Sequence, residues 1–260
     1  MNKHKSYIPF AIHGSGELAV VFIHGFLESG SLWRQVIEAM ATGNAETITL
    51  DLPGMGGLGH MKAPEDLRTL ADAVTGVLDE LAKPVVLVGQ SMGAQVAELA
   101  ALARPDQVQG LALITPIPLA GLPVPPEVAD AFKSLGGNEA AQRQIRAQFS
   151  PGLEPEVLEE MIRVGMRASS ESAKALFTAW STGDPAGNNP GSDRFPILVV
   201  GGEDDPFASP DVLKTYVIPR FSRVTSRFLK GTGHWPHIEQ PRAIAREIDA
   251  FLKLLTDGKA

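Results

Sequence analysis

Short apolar runs alternate with helix-length amphipathic stretches over the first half of the chain. Leu18 to Ile23 (LAVVFI), Pro84 to Val88 (PVVLV) and Val108 to Ile114 (VQGLALI) are continuous enough to predict strands buried on both faces. Glu46 to Leu50 (ETITL) predicts a further strand. Between the runs lie helical patterns. From Pro64 to Leu81, apolar residues recur at helical spacing: Leu67, Leu70, Ala71, Val74, Val77, Leu78 and Leu81. Pro64 suits the start of that helix. Leu32 to Met40 and the Ala- and Leu-rich Ser91 to Arg104 predict two more helices, the second stopped by Pro105. Strands separated by helices predict βαβ units and a mostly parallel sheet.

The rhythm changes after Ile114. A proline-rich exit (Pro116, Pro118, Pro123, Pro125, Pro126) leads into helical patterns near Glu127 to Leu135, Ala140 to Phe149, Glu154 to Val164 and Ser172 to Trp180. A Gly/Asn/Pro/Ser stretch, Gly183 to Ser192, closes the region. Strand patterns resume at Pro196 to Val200 (PILVV) and Val224 to Leu229 (VTSRFL), and a last helix is expected from Pro241 to Leu254. The expected organisation is a core of residues 1–115 and 194–260, with residues 116–193 as a helical insertion.

Composition narrows the class. The 260 residues are 44% hydrophobic and 20% charged, as in an ordinary soluble globular protein. The formal net charge of -7 argues against a nucleic-acid partner, which would need a clustered basic surface. The absence of cysteine removes disulfides, thiolate metal sites and a thiol nucleophile. Met1 to Phe10 has no apolar run of signal-peptide length, and no stretch nears the roughly 20 apolar residues of a membrane span. A cytoplasmic protein with no membrane partner is expected.

Candidate chemistry sits in the loops after the strands. Gly89-Gln90-Ser91-Met92-Gly93 is a G-x-S-x-G sequence between a buried strand and a helix, the setting a nucleophile elbow requires. The turn is too tight for side chains at Gly89 and Gly93, and a strained Ser91 would present its hydroxyl above the sheet. His24-Gly25-Phe26 follows the first buried strand; there the backbone N–H of Phe26 would join that of Met92 as an oxyanion hole, with His24 itself structural. Asp51, ahead of a Gly-rich loop, is read as structural, because the triad order of this elbow places the acid after the serine. Gly202-Glu203-Asp204-Asp205-Pro206-Phe207 and Gly231-Thr232-Gly233-His234-Trp235-Pro236 follow the next two strands. Ser91, Asp205 and His234 would thus meet at one sheet edge as nucleophile, acid and base. Asp204 competes with Asp205; Pro206 favours Asp205 by biasing it toward an extended backbone. The six histidines match no zinc motif, and the Gly-rich loops match no phosphate or dinucleotide fingerprint, so neither a metal nor another cofactor is expected.

The pieces VVFIHGF, DLPGMGG, LVGQSMG, GGEDDPF and GTGHWPHIEQP resemble the α/β-hydrolase superfamily, in order and over nearly the whole chain. The resemblance implies an eight-stranded, mostly parallel sheet, with the insertion as a helical cap over the pocket. It implies Ser91, Asp205 and His234 as the triad and Phe26 and Met92 as oxyanion donors. Haloalkane dehalogenases of the superfamily carry Asp in place of Ser91, and some lactonases place the acid after the strand preceding the cap, which here ends Ile114-Thr115-Pro116 without one. The implied substrate is a small or medium carboxylic ester or lactone. Other chemistry on the same triad (carbon–carbon bond hydrolysis, amide cleavage, perhydrolysis or a lyase reaction) and a ligand receptor of the same fold are the alternatives. Phe149, Phe177, Trp180 and Trp235 are the candidate pocket aromatics.

Overall fold

Strands whose two faces are both apolar need a cover on each side, and the sequence supplies the helices for it. The computed structural model describes residues 8–41 and 45–257. In chain order the elements are β1 (Phe10–His13), β2 (Leu18–Ile23), α1 (Arg34–Ala39), β3 (Ala45–Leu50), α2 (Leu67–Leu81), β4 (Val85–Gln90), α3 (Met92–Ala103), β5 (Val108–Ile114), α4 (Pro126–Lys133), α5 (Glu139–Phe149), α6 (Pro155–Gly165), α7 (Ser170–Thr182), β6 (Ile197–Gly202), α8 (Pro210–Val212), β7 (Val224–Leu229), α9 (Pro236–Glu239) and α10 (Pro241–Asp257). The strands form one sheet in the order β1-β3-β2-β4-β5-β6-β7. Only β1 is antiparallel to its neighbour, pairing Phe10 with Leu50 and His13 with Thr47; the other described pairings are parallel.

The pleat divides each strand between two cores. Ala19, Val21 and Ile23 of β2 and Leu87 of β4 join the core packed by α2, α3 and α7. Val20, Phe22, Val86 and Val88 point the other way, to Trp33, Val36 of α1 and Ile244, Ile248 and Phe251 of α10. The result is a three-layer α/β/α arrangement. Between β5 and β6 the described chain carries four α-helices, α4 to α7, a short 3-10 helix at Pro185–Asn188, and no strand.

The expectation of eight strands is corrected to seven among the described residues. Only Gly14 to Glu17 separate β1 from β2, which leaves no room for another strand before the parallel series begins. The helix expected from Pro64 starts at Leu67, because the Asp66 carboxylate takes the backbone N–H of Thr69 at 2.8 Å and caps it there. The C-terminal ends of β2, β4, β5, β6 and β7 open on one edge, and the loops carrying His24 to Phe26, Ser91, Thr115, Asp205 and His234 gather there.

Candidate active site

β4 is buried along its whole length and ends in a turn that few residues tolerate. Ser91 stands at φ 52° and ψ −120°, a left-handed backbone strained for a non-glycine residue. The conformation is held from both sides. The Ser91 N–H donates to the carbonyl of Ile114 at 3.0 Å. A side chain on Gly89 would run into the carbonyl of Gly93, and one on Gly93 into that of His24. The turn delivers the hydroxyl of Ser91 to the end of α3, where helix N–H groups favour negative charge.

His234 meets it. Nε2 of His234 lies 3.0 Å from Ser91 Oγ, and Nδ1 lies 2.8 Å from Asp205 Oδ2. All three residues are buried. The second Asp205 oxygen accepts the N–H groups of Phe207 (2.8 Å) and Ala208 (3.0 Å), so both oxygens are engaged. Asp204 is exposed, with its N–H on the carbonyl of Thr232. Burial lowers the basicity of the His234 ring, but the charge and hydrogen bond of Asp205 outweigh it and hold the pKa above the ordinary 6.5.

The donors named for an oxyanion hole flank this site. The N–H of Gly25 is taken by Glu28 Oε2 at 3.2 Å and that of Leu27 by the Met55 sulfur at 3.2 Å. No acceptor among the described residues takes the N–H of Phe26 between them, or that of Met92 at the head of α3. His24 is a structural residue: its Nε2 accepts the N–H of Leu52 at 3.0 Å, so Nδ1 carries the proton and donates to the Gly25 carbonyl at 2.9 Å. Asp51 accepts the N–H groups of Gly30 and Gly57, both at 2.7 Å, and ties two loops together.

Several buried polar residues that carry no motif hold the site in place. Gln90 Nε2 (2.9 Å) and Thr115 Oγ1 (2.9 Å) both donate to the carbonyl of His234. Glu239 accepts the N–H groups of Gly233 and Trp235 and the hydroxyl of Ser150. Glu28 accepts from the indole N–H of Trp235, and burial pushes its carboxyl up. Among the described residues no three His, Asp or Glu side chains converge as metal ligands.

Ser91 and His234 open on a cavity of about 30 Å³, walled by Phe26, Phe132, Phe149, Trp180, Phe207 and Trp235. That is room for about one or two waters. A larger hollow of about 820 Å³ lies beside β1, near Phe10, Ile37 and Asp51, and touches none of the three residues. Chemistry, not size, singles out the smaller one. Phe177 does not line it. Its ring packs behind Phe132 (centroids 6.0 Å apart) under the ammonium group of Lys133, because α7 turns Trp180 toward the cavity and Phe177 toward α4. Phe207, from the loop that carries Asp205, takes a place in the wall instead, stacked 5.2 Å from Phe149.

A model of the alpha/beta hydrolase family matches residues 20–247. The chain belongs to that family. It is 24% identical over 264 residues to the sn-1-specific diacylglycerol lipase ABHD11 of Mus musculus, covering 90% of this chain and 80% of that protein. It is 38% identical to an epoxide hydrolase of Caballeronia sordidicola, but over 100 residues, 36% of this chain and 29% of that one. Among solved structures, an esterase from Exiguobacterium antarcticum superposes with a TM-score of 0.84 at 18% identity, covering 95% of both chains. This last likeness is one of fold. No described helix of this family member is long and apolar enough to cross a membrane.

Proposed function

We propose that this alpha/beta hydrolase cleaves small to medium carboxylic esters or lactones with Ser91 as nucleophile. The observation that carries the reading is the unbroken chain from Ser91 Oγ through His234 to Asp205, at 3.0 and 2.8 Å. In the reaction the neutral imidazole takes the Ser91 proton as Oγ adds to the ester carbonyl. The oxyanion is held by the N–H groups of Phe26 and Met92. His234, now an imidazolium steadied by Asp205, gives its proton to the leaving alkoxide. Water then repeats the addition on the acyl-enzyme, with His234 as base, and frees the acid.

Residues 116–193 act as a cap. The described helices α4, α5 and α7 contribute Phe132, Phe149 and Trp180 to the cavity wall. A space of about 30 Å³ is too small for an ester, so these rings must part for substrate to reach Ser91. The reading is tested by treating the protein with a fluorophosphonate probe and assaying p-nitrophenyl acetate and butyrate in parallel. Labelling on Ser91 together with turnover supports it. A label elsewhere, or turnover undiminished in Ser91→Ala, rules it out.

A further inference from the structure

The cap side of the cavity contains a charge that the proposed ester hydrolysis does not use. Helix α5 turns Gln142, Arg146 and Phe149 inward, and Arg146 is only 3% exposed. Arg146 lines the same cavity as Ser91 and His234. Nη1 donates to Gln142 Oε1 at 2.9 Å, and Nη2 reaches the carbonyl of Leu27 at 3.3 Å. Nε is buried with no acceptor among the described residues. None of these partners is charged. Burial lowers the Arg146 pKa to about 10, with Glu28 opposing. Glu28 is a weak counter-charge, since burial pushes its own carboxyl up and its oxygens already serve Gly25 and Trp235. The partly buried Arg220 is treated differently: it meets Glu98 directly at 2.9 Å. A buried guanidinium without a carboxylate partner is expensive, and an apolar side chain would fill the same space more cheaply.

We propose that Arg146 is an anion subsite, and that the ester or lactone cleaved at Ser91 carries a carboxylate a short carbon chain away from the scissile carbonyl. The proposal rests on the serine-hydrolase reading of the site. Two contacts place the subsite near the reacting centre. Leu27, whose carbonyl holds Nη2, directly follows Phe26, the oxyanion donor of that reading. Phe149, one turn beyond Arg146 on α5, packs its ring 6.0 Å from the His234 ring. Nε is enclosed with no acceptor among the described residues; once the cavity rings part, Nε–H and Nη2–H would offer a carboxylate a side-on fork of two parallel hydrogen bonds. Glu28 lines the same cavity, its carboxyl pushed up by burial, and the rest of the wall is largely apolar, Phe132 and Ile145 included, which suits methylenes. One cation in an aromatic wall balances one negative charge; a doubly charged phosphate would need a second.

The test compares p-nitrophenyl hydrogen glutarate with p-nitrophenyl 5-methylhexanoate, which replaces the carboxylate by an uncharged group of the same shape. The wild-type protein is expected to favour the anionic ester. Arg146→Gln should lower kcat/KM on it by about 100-fold, chiefly through KM, while changing the neutral ester about threefold or less. Arg146→Lys keeps the charge without the fork and should fall between. Binding is read separately: glutarate should raise the Tm of the Ser91→Ala protein, and raise that of the Ser91→Ala, Arg146→Lys double variant by less. Equal losses on both esters in Arg146→Gln, or no preference for the anionic ester in the wild type, would overturn the anion subsite. So would a glutarate Tm shift that is absent in Ser91→Ala or unchanged by Arg146→Lys. If the fluorophosphonate does not label Ser91, the hydrolase reading has failed instead, and the glutarate shift still decides whether Arg146 binds a carboxylate.

Discussion

The two walls of the cavity are built on opposite principles. On the sheet side, the polar groups that hold Ser91, His234 and Asp205 are buried and hydrogen-bonded: Asp205 accepts three hydrogen bonds, His24 uses both ring nitrogens, and the His234 carbonyl accepts two donors. On the helical side the wall is aromatic, and its one charged group, Arg146, is under-partnered. A satisfied polar network is rigid, and a rigid network is what proton transfer between fixed atoms needs. Rings held by dispersion can slide, and that is what access for a substrate needs. Under the proposed function, chemistry belongs to the sheet wall and selection to the helical wall.

The strongest way to break that division is to strike the sheet wall. Ser91→Ala deletes one oxygen and no packing. Ester turnover should fall about 10^4-fold or more, with the circular dichroism spectrum and Tm unmoved. A variant that kept a tenth of the activity would show that the nucleophile lies elsewhere.

Asp205→Asn comes next, with an expected loss of about 10^3 to 10^4-fold, against roughly tenfold at most for Asp204→Asn. It also moves the pH profile. His234 must be neutral to act as base, and its pKa is raised, so wild-type kcat/KM should rise with pH with its inflection above 6.5. Without the Asp205 charge, burial dominates, and the residual activity should inflect below 6.5. An inflection that stayed put would mean that Asp205 does not set the basicity of His234.

Much of this was legible in the sequence, and the rest was not for identifiable reasons. β2, β4 and β5 show as apolar runs because a parallel strand is covered on both faces. β1 does not, since it is a four-residue edge strand that is mostly exposed. The serine, histidine and aspartate loops announce themselves by glycines that the turns require. Gln90, Thr115, Glu28 and Glu239 carry no such mark. Gln90 and His234 are 144 residues apart in the chain, and no local pattern joins them. Arg146 did leave a trace. Gln142, Arg146 and Phe149 fall on one helical face, so a cation interrupts the stripe that packs inward.

His237 sharpens the comparison, because it lies three residues from His234 and meets the opposite fate. Its ring packs 4.4 Å from Trp33, neither nitrogen has a hydrogen-bond partner among the described residues, and the nearest Glu28 oxygen is 3.8 Å away. Burial, aided by the charges of His234 and His24, pushes its pKa down to about 3. The folded protein therefore holds it neutral, while an unfolded chain protonates it near 6.5. Its contribution to stability is complete above pH 6.5 and is lost as the pH falls from 6.5 toward 3. The loss is about 2 kcal/mol by pH 5. His237→Phe keeps the stacking and removes the titration. Urea unfolding at pH 7 and pH 5 should show the variant gaining that amount on the wild type between the two. Parallel stability curves would show the ring to be solvated or paired.

The smallest effects belong to the helical wall, where two aromatics one turn apart on α7 should separate. Trp180 faces the cavity beside Phe26, with ring centroids 6.4 Å apart, whereas Phe177 lies behind Phe132. Trp180→Leu enlarges the space an acyl chain can occupy. It should change the ratio of kcat/KM for p-nitrophenyl hexanoate over acetate by about tenfold, because a methylene or two in an apolar pocket is worth about that much. Acetate, too short to reach the ring, should change little. Phe177→Leu removes volume from the helix packing instead and should cost about 1 to 1.5 kcal/mol in urea unfolding with the ratio unaltered. The pair isolates selection from support within a single helix. If both substitutions shifted the ratio alike, the aromatic cluster would be acting as one deformable body, and the helical wall would select by its mobility more than by the shape that Trp180 gives it.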